Sequence, residues 1–169
     1  LAHFFLFLLP GFPLAANSEP LPRLKVLAAQ IPGAAEPSLE GRDIELVLAT
    51  FDECGFEAEF IMQPYERHAR TYRDRQDFDA IATVPLHWRL PGYSTSAYIW
   101  YQNGAFYNHS RVGPIERVKD LAGLNVVTFR EGVDVLGISD NVPEFASLTE
   151  IADQTIHSRL LFMGRVDAI

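Results

Sequence analysis

Apolar positions in this chain switch between a period near two and a period near 3.6, and the switches divide it into short elements. Leu24-Lys25-Val26-Leu27-Ala28-Ala29 is an apolar run behind a Pro-rich leader and predicts a first strand. Pro32, Gly33 and Pro37 mark Gln30 to Leu39 as a loop. Ile44, Val47, Leu48 and Phe51 recur at helical spacing, with Gly55 placed to stop the helix. Phe56, Ala58, Phe60 and Met62 then alternate with Glu57, Glu59 and Ile61, the pattern of a strand. Tyr65, Ala69 and Tyr72 fall on one face of a short, charged helix, and Phe78 to Val84 is a third apolar run. Strand, helix, strand, helix, strand is the order of a parallel sheet covered by helices, so the fold class is α/β.

The middle of the chain differs. Tyr93 to Tyr107 is rich in aromatic and small residues and has no helical period, which predicts one extended segment, with Gly104 supplying backbone freedom between Gln102 and Ala105. Ile115 to Leu121 predicts a short amphipathic turn or helix ending at Gly123. Leu124 to Phe129 predicts a strand, Arg130-Glu131-Gly132 a turn, and Val142 to Leu148 a further strand. Leu148, Ile151, Ile156, Leu160 and Phe162 fit a helix that Gly164 ends, and Val166 to Ile169 opens another strand.

Composition narrows the class. Apolar residues make up 48% of the chain, enough for a real core. The 14 basic and 22 acidic residues give a net charge of −8 with no Lys/Arg stripe, which argues against nucleic acid. Phe4 to Leu9 is an apolar run followed by Pro10, Gly11 and Pro13, then by small residues around Ala16 and Ser18; residues 1–18 are expected to be a secretory signal peptide. The run is shorter than the ~20 residues a membrane span needs. Cys54 has no partner for a disulfide and, lying in the apolar helix, is expected to be a buried, inert thiol.

Five segments in order carry a family resemblance: Gly41-Arg42-Asp43-Ile44-Glu45-Leu46, Asp77-Phe78-Asp79-Ala80-Ile81-Ala82, Tyr93-Ser94-Thr95-Ser96-Ala97-Tyr98, Pro114 through Gly123, and Gly164-Arg165-Val166-Asp167-Ala168-Ile169. From Leu24 to Ile169 the chain resembles the family 3 extracellular solute-binding proteins, the amino-acid and polar-solute receptors of ABC importers. The resemblance implies a two-lobed clamp of the periplasmic-binding-protein type that closes by hinge motion. Lobe 1 is expected over 19–100, the hinge over 101–107 and lobe 2 over 108–169, with the second crossing back to lobe 1 missing.

Thr83 lies at the C-terminal end of the third strand, where open α/β sheets gather ligands. The resemblance places a ligand-carboxylate arginine near Arg89, in a turn that here lacks the family's Thr and Glu. It also implies that Tyr65 and Arg67, at the start of the second helix, line the cleft. In Arg130-Glu131-Gly132-Val133-Asp134, relatives offer backbone N–H groups and a small hydroxyl residue to a ligand carboxylate; Arg130, Gly132 and Asp134 are the binding candidates there. Asp134 would repel a carboxylate but would accept an amine, so a standard amino-acid ligand fits this turn poorly. No G-x-S-x-G, P-loop or metal-ligand spacing of His and Cys occurs, so the expectation is a binding protein with no cofactor and no metal. The function implied is periplasmic capture of a small polar, amino-acid-like solute by a monomer that hands it to an ABC permease. The alternatives are a sensor domain of a signalling protein, or a relative of the dehydratases or of the lytic-transglycosylase lobes.

Overall fold

The computed structural model describes residues 20–169; the expected signal peptide at 1–18 lies outside them. The first unit is a parallel sheet of order β2-β1-β3, made of β1 (Arg23–Gln30), β2 (Glu57–Pro64) and β3 (Ala80–Ile81), with helices α1 (Arg42–Glu53) and α2 (Tyr65–Asp74) in the two connections. β1 and β2 pair along their whole length, from Arg23 opposite Glu57 to Gln30 opposite Pro64. The central strand is apolar because both its faces are covered: Val26, Leu27, Ala28 and Ala29 are each no more than 1% exposed. Val26 and Ala28 pack with Ala35, Ile44 and Ala82, and with the half-buried Val47, Phe51, Phe60 and Met62.

Gly41 sets the start of α1. Its φ of 114° lies in the region reserved for glycine, and a Cβ there would overlap the Ala34 carbonyl. That same carbonyl accepts from Asp43 N at 3.0 Å, so the loop backbone closes directly onto the helix. Leu48, expected on the buried face of α1, is exposed, and the face is carried by Ile44, Val47 and Phe51. Cys54, expected to be buried, is exposed at the C-terminal end of the helix, where its N–H closes the last turn onto Phe51 O and Thr50 O.

The third strand is shorter than its apolar run. Only Ala80 and Ile81 pair with β1, opposite Val26 and Leu27. Asp79 N and Ala82 N still donate to Lys25 O and Leu27 O, but Thr83 turns to φ 58° and ends the strand. From Thr83 to Phe106 the chain forms no helix and joins no strand ladder, so the segment expected to be extended from Tyr93 onward is non-helical.

The second unit is built on a parallel pair, β4 (Asn125–Phe129) and β5 (Ser147–Ile151), in register from Asn125 opposite Ser147 to Phe129 opposite Ile151. Ala168 bridges to Val126 in parallel and to Tyr107 in antiparallel sense, so the chain's last residues and the end of the extended segment meet beside β4. Leu121, Val126, Ile138, Phe145 and Ala168 form a core of their own. The stretch from Val118 to Leu121 is one 3-10 turn, fixed by Asp120, whose carboxylate accepts from Glu116 N and Arg117 N, both at 3.1 Å.

Two expectations fail here. The strand expected over Val142–Leu148 is a 3-10 turn, Ser139–Glu144, with Pro143 inside it, and the strand begins only at Ser147. The helix expected from Leu148 to Phe162 is instead β5, a 3-10 turn at Gln154–Ile156 and a short helix α4 (His157–Phe162). Leu148 and Ile151 are three apart and suit either period; pairing with β4 decides for the strand. Asp153 then starts the helical part by accepting from Thr155 N at 3.0 Å.

Candidate functional site

The two units meet across an aromatic wall. Tyr65 opens α2 directly behind Pro64, and its ring lies 5.7 Å from that of Trp88 and 5.9 Å, edge-on at 79°, from that of Phe129 at the end of β4. Each such pair contributes about 0.5–1.5 kcal/mol beyond area burial. The Tyr65 phenol is pushed up to about 12, first by burial and then by the charge of Asp134. It therefore stays neutral and can donate.

A polar tie crosses beside the wall. Asp134 lies in α3 (Gly132–Leu136), after β4, and its Oδ2 accepts from Trp88 Nε1 and His87 Nε2, both at 3.0 Å. Both donors sit in the loop that follows β3. Hydrogen bonds from Trp88 and then His87 hold the Asp134 carboxyl below the usual range.

A second carboxylate fills the turn before α3. Glu131 takes a left-handed conformation, φ 63°, immediately before the helix. Glu150 reaches over from β5, accepting from Glu131 N at 3.1 Å and Val133 N at 3.0 Å. Gly132 between them is buried, and a Cβ there would fall 2.5 Å from Thr128 Oγ1. Glycine is thus required by the strand beneath it.

The floor on the first unit is a polar network. Asp43 is 1% exposed yet carries a carboxylate, which accepts from the Tyr101 hydroxyl and from Thr83 Oγ1 at 3.4 Å and pairs with Arg42 at 3.2 Å. Thr83 N donates to the Tyr98 hydroxyl at 3.1 Å. The extended segment is therefore tied to the end of β3 and to α1. His68 is fully buried beneath Tyr65; its Nδ1 donates to the Tyr65 carbonyl, and its Nε2 has no partner among the described residues. Burial lowers its pKa, keeping the ring neutral.

Two cavities flank Trp88. The larger, about 840 Å³, is bounded by the first unit at Tyr65 and Thr83, by the extended segment, and by Phe129, Val135 and Gln154 of the second. The smaller, about 530 Å³, lies between Arg70, Arg73 and Arg89 on one side and Glu131 and Asp134 on the other. Of the residues singled out from sequence, Tyr65 and Thr83 line the larger cavity, and Arg89 and Asp134 line the smaller. Gly132 is buried against Thr128. Arg67 and Arg130 are exposed and line neither cavity. Sequence reasoning did not single out Trp88, Phe129, Asp43 or Glu150 as site residues. Asp43 was visible in the Gly41-Arg42-Asp43 motif; Glu150 gave no local signal, because its partners lie 17 and 19 residues away.

Two α/β units, each with its own parallel sheet and core, joined by an extended segment and enclosing a cavity, define a two-lobed fold of the periplasmic-binding-protein type. Solved structures agree. An ancestral amino-acid-binding protein, a precursor of cyclohexadienyl dehydratase, matches with a TM-score of 0.69 at 15% identity, over 86% of this chain and 68% of that one. The GluR0 ligand-binding core in complex with L-glutamate matches at 0.69 and 18%, over 86% and 67%. An ancestral arginine-binding protein bound to arginine matches at 0.63 and 16%, over 89% and 70%. At these identities the likeness is one of fold, and the resemblance read from the sequence holds at that level. No family model and no curated protein matches the chain.

Proposed function

We propose that this chain is a solute-binding module of the family 3 type, which captures one small polar solute of amino-acid size between its lobes outside the cytoplasm and hands it to an ABC-type permease. The observation that carries this reading is the cavity of about 840 Å³ whose walls come from both lobes and from the segment that joins them. A site so divided is complete only when the lobes are together, so ligand binding and closure become one event. Tyr65 and Thr83 serve as contacts on lobe 1, and Gln154 as one on lobe 2. Gln102 to Ala105 serves as the hinge, residues 1–18 direct export, and the module works by binding without turnover as a monomer. The fold shared with amino-acid-binding proteins supports this role.

Calorimetry of the purified chain against amino acids, amines and other small polar solutes tests it, with small-angle scattering to follow closure. Saturable one-to-one binding that compacts the molecule and is lost in Tyr65→Ala is the expected result. A folded chain that binds none of these solutes, or one that converts a solute to product, would overturn it.

A further inference from the structure

The larger cavity is lined almost wholly by neutral groups. Among its described lining residues none is Lys, Arg or His, and the single charged one is Asp79, whose carboxylate already accepts from Lys25 N at 2.8 Å. A carboxylate-bearing ligand would need a cation or a set of free N–H groups to offset its lost hydration, a penalty of several kcal/mol. In the turn before α3, Glu150 already occupies two of the N–H groups, those of Glu131 and Val133. Nor does Arg89 line this cavity; it lines the neighbouring one, facing Glu131 and Asp134. Among the described lining residues there is therefore no cation to hold a carboxylate.

What the lining does offer is aromatic rings. Tyr65, Tyr72, Trp88, Trp100, Tyr101 and Phe129 contribute to it, and hydroxyl and amide groups such as Thr83 and Gln154 supply neutral hydrogen-bond partners. Ring faces carry negative electrostatic potential and attract ammonium groups. The chain's net charge of −8 adds a long-range field of the same preference. The adjoining cavity balances Arg70, Arg73 and Arg89 against Glu66, Glu131 and Asp134 and adds no cation to the larger one; Asp134 sits at the junction bonded to Trp88.

We infer that the cleft selects an organic cation that lacks a carboxylate, an arylalkylamine or alkylamine rather than the corresponding amino acid, with Glu150 as the residue that shuts the carboxylate seat. This rests on the solute-binding reading and sharpens it. Calorimetry on the full chain with matched pairs tests it: tyramine against tyrosine, phenethylamine against phenylalanine, and neutral 2-phenylethanol as the uncharged control. Each amine should bind at least about tenfold more tightly than its amino acid and than the alcohol. Tyr65→Leu keeps apolar bulk but removes a ring face, and should weaken phenethylamine about fivefold or more while shifting 2-phenylethanol less than about twofold. Trp100→Leu, at a residue 78% exposed, gives the same comparison without risk to the core. Amino acids binding as well as the amines would overturn the inference and leave the solute-binding reading standing. Equal binding of alcohol and amine would overturn it too, since no cation preference would exist. Failure of all five compounds with a folded chain, judged by circular dichroism, would overturn the inference, and the solute-binding reading would then be decided by the wider panel of amino acids, amines and polar solutes.

Discussion

Glu150→Ala gives the sharpest test of how the second lobe is built. The carboxylate accepts two backbone N–H groups, at 3.1 Å from Glu131 and 3.0 Å from Val133, in a half-buried position. A hydrogen bond to a charged group contributes about 1.5–3 kcal/mol net, and partial exposure places these two at the lower end. The truncation also leaves two donors to find water in a turn that Gly132 packs against Thr128, and it leaves Glu131 in its left-handed conformation, φ 63°, with nothing to hold it. The loss should total about 2–4 kcal/mol, a large share of the about 5–15 kcal/mol that stabilises a domain. Glu150→Gln keeps one acceptor and should lose about half as much. Urea unfolding followed by circular dichroism reads both, provided the slope of free energy against denaturant stays that of the wild type. A loss below about 0.5 kcal/mol for Glu150→Ala, or equal losses for the two variants, would refute the claim that this carboxylate organises the turn.

Three further outcomes follow from the geometry. Burial holds His68 below its ordinary pKa, so the unfolded chain binds this proton more readily than the folded one; stability should be full above about pH 6.5 and fall as the pH drops below it, and melting curves from pH 8 to 5 should show a shallower decline in His68→Leu. Tyr101→Phe removes the hydroxyl from the buried Asp43 carboxylate and should cost about 1.5–3 kcal/mol by chemical denaturation; an unchanged midpoint would show that Asp43 does not hold the extended segment. Gly41→Ala forces a Cβ toward the Ala34 carbonyl at φ 114° and should cost at least about 1–3 kcal/mol by the same measurement, whereas a neutral result would mean the loop yields freely.

Local pattern was enough for much of the first lobe. The run from Leu24 to Ala29 is apolar on both faces because its strand is central, and α1 and α2 announce themselves through the spacing of Ile44, Val47 and Phe51 and of Tyr65, Ala69 and Tyr72. The aromatic stretch from Tyr93 onward reads as non-helical, and it is so. In the second lobe the elements are only three to six residues long, too short for period to choose between strand and helix, so β5 became a strand through its pairing with β4.

The site divides in the same way. Tyr65 and Thr83 sit where chain order predicts, at the start of a helix and the end of a strand, because such positions in an α/β unit lie at the rim of its sheet. Tertiary structure alone decided that Asp134 ties the lobes through Trp88, that Glu150 closes the turn before α3, and that Arg89 lies at the smaller cavity. Each of these depends on a side chain meeting a backbone group or ring from a distant part of the chain. No spacing along the sequence encodes such a meeting; it follows only from how two separately folded sheets come to face each other.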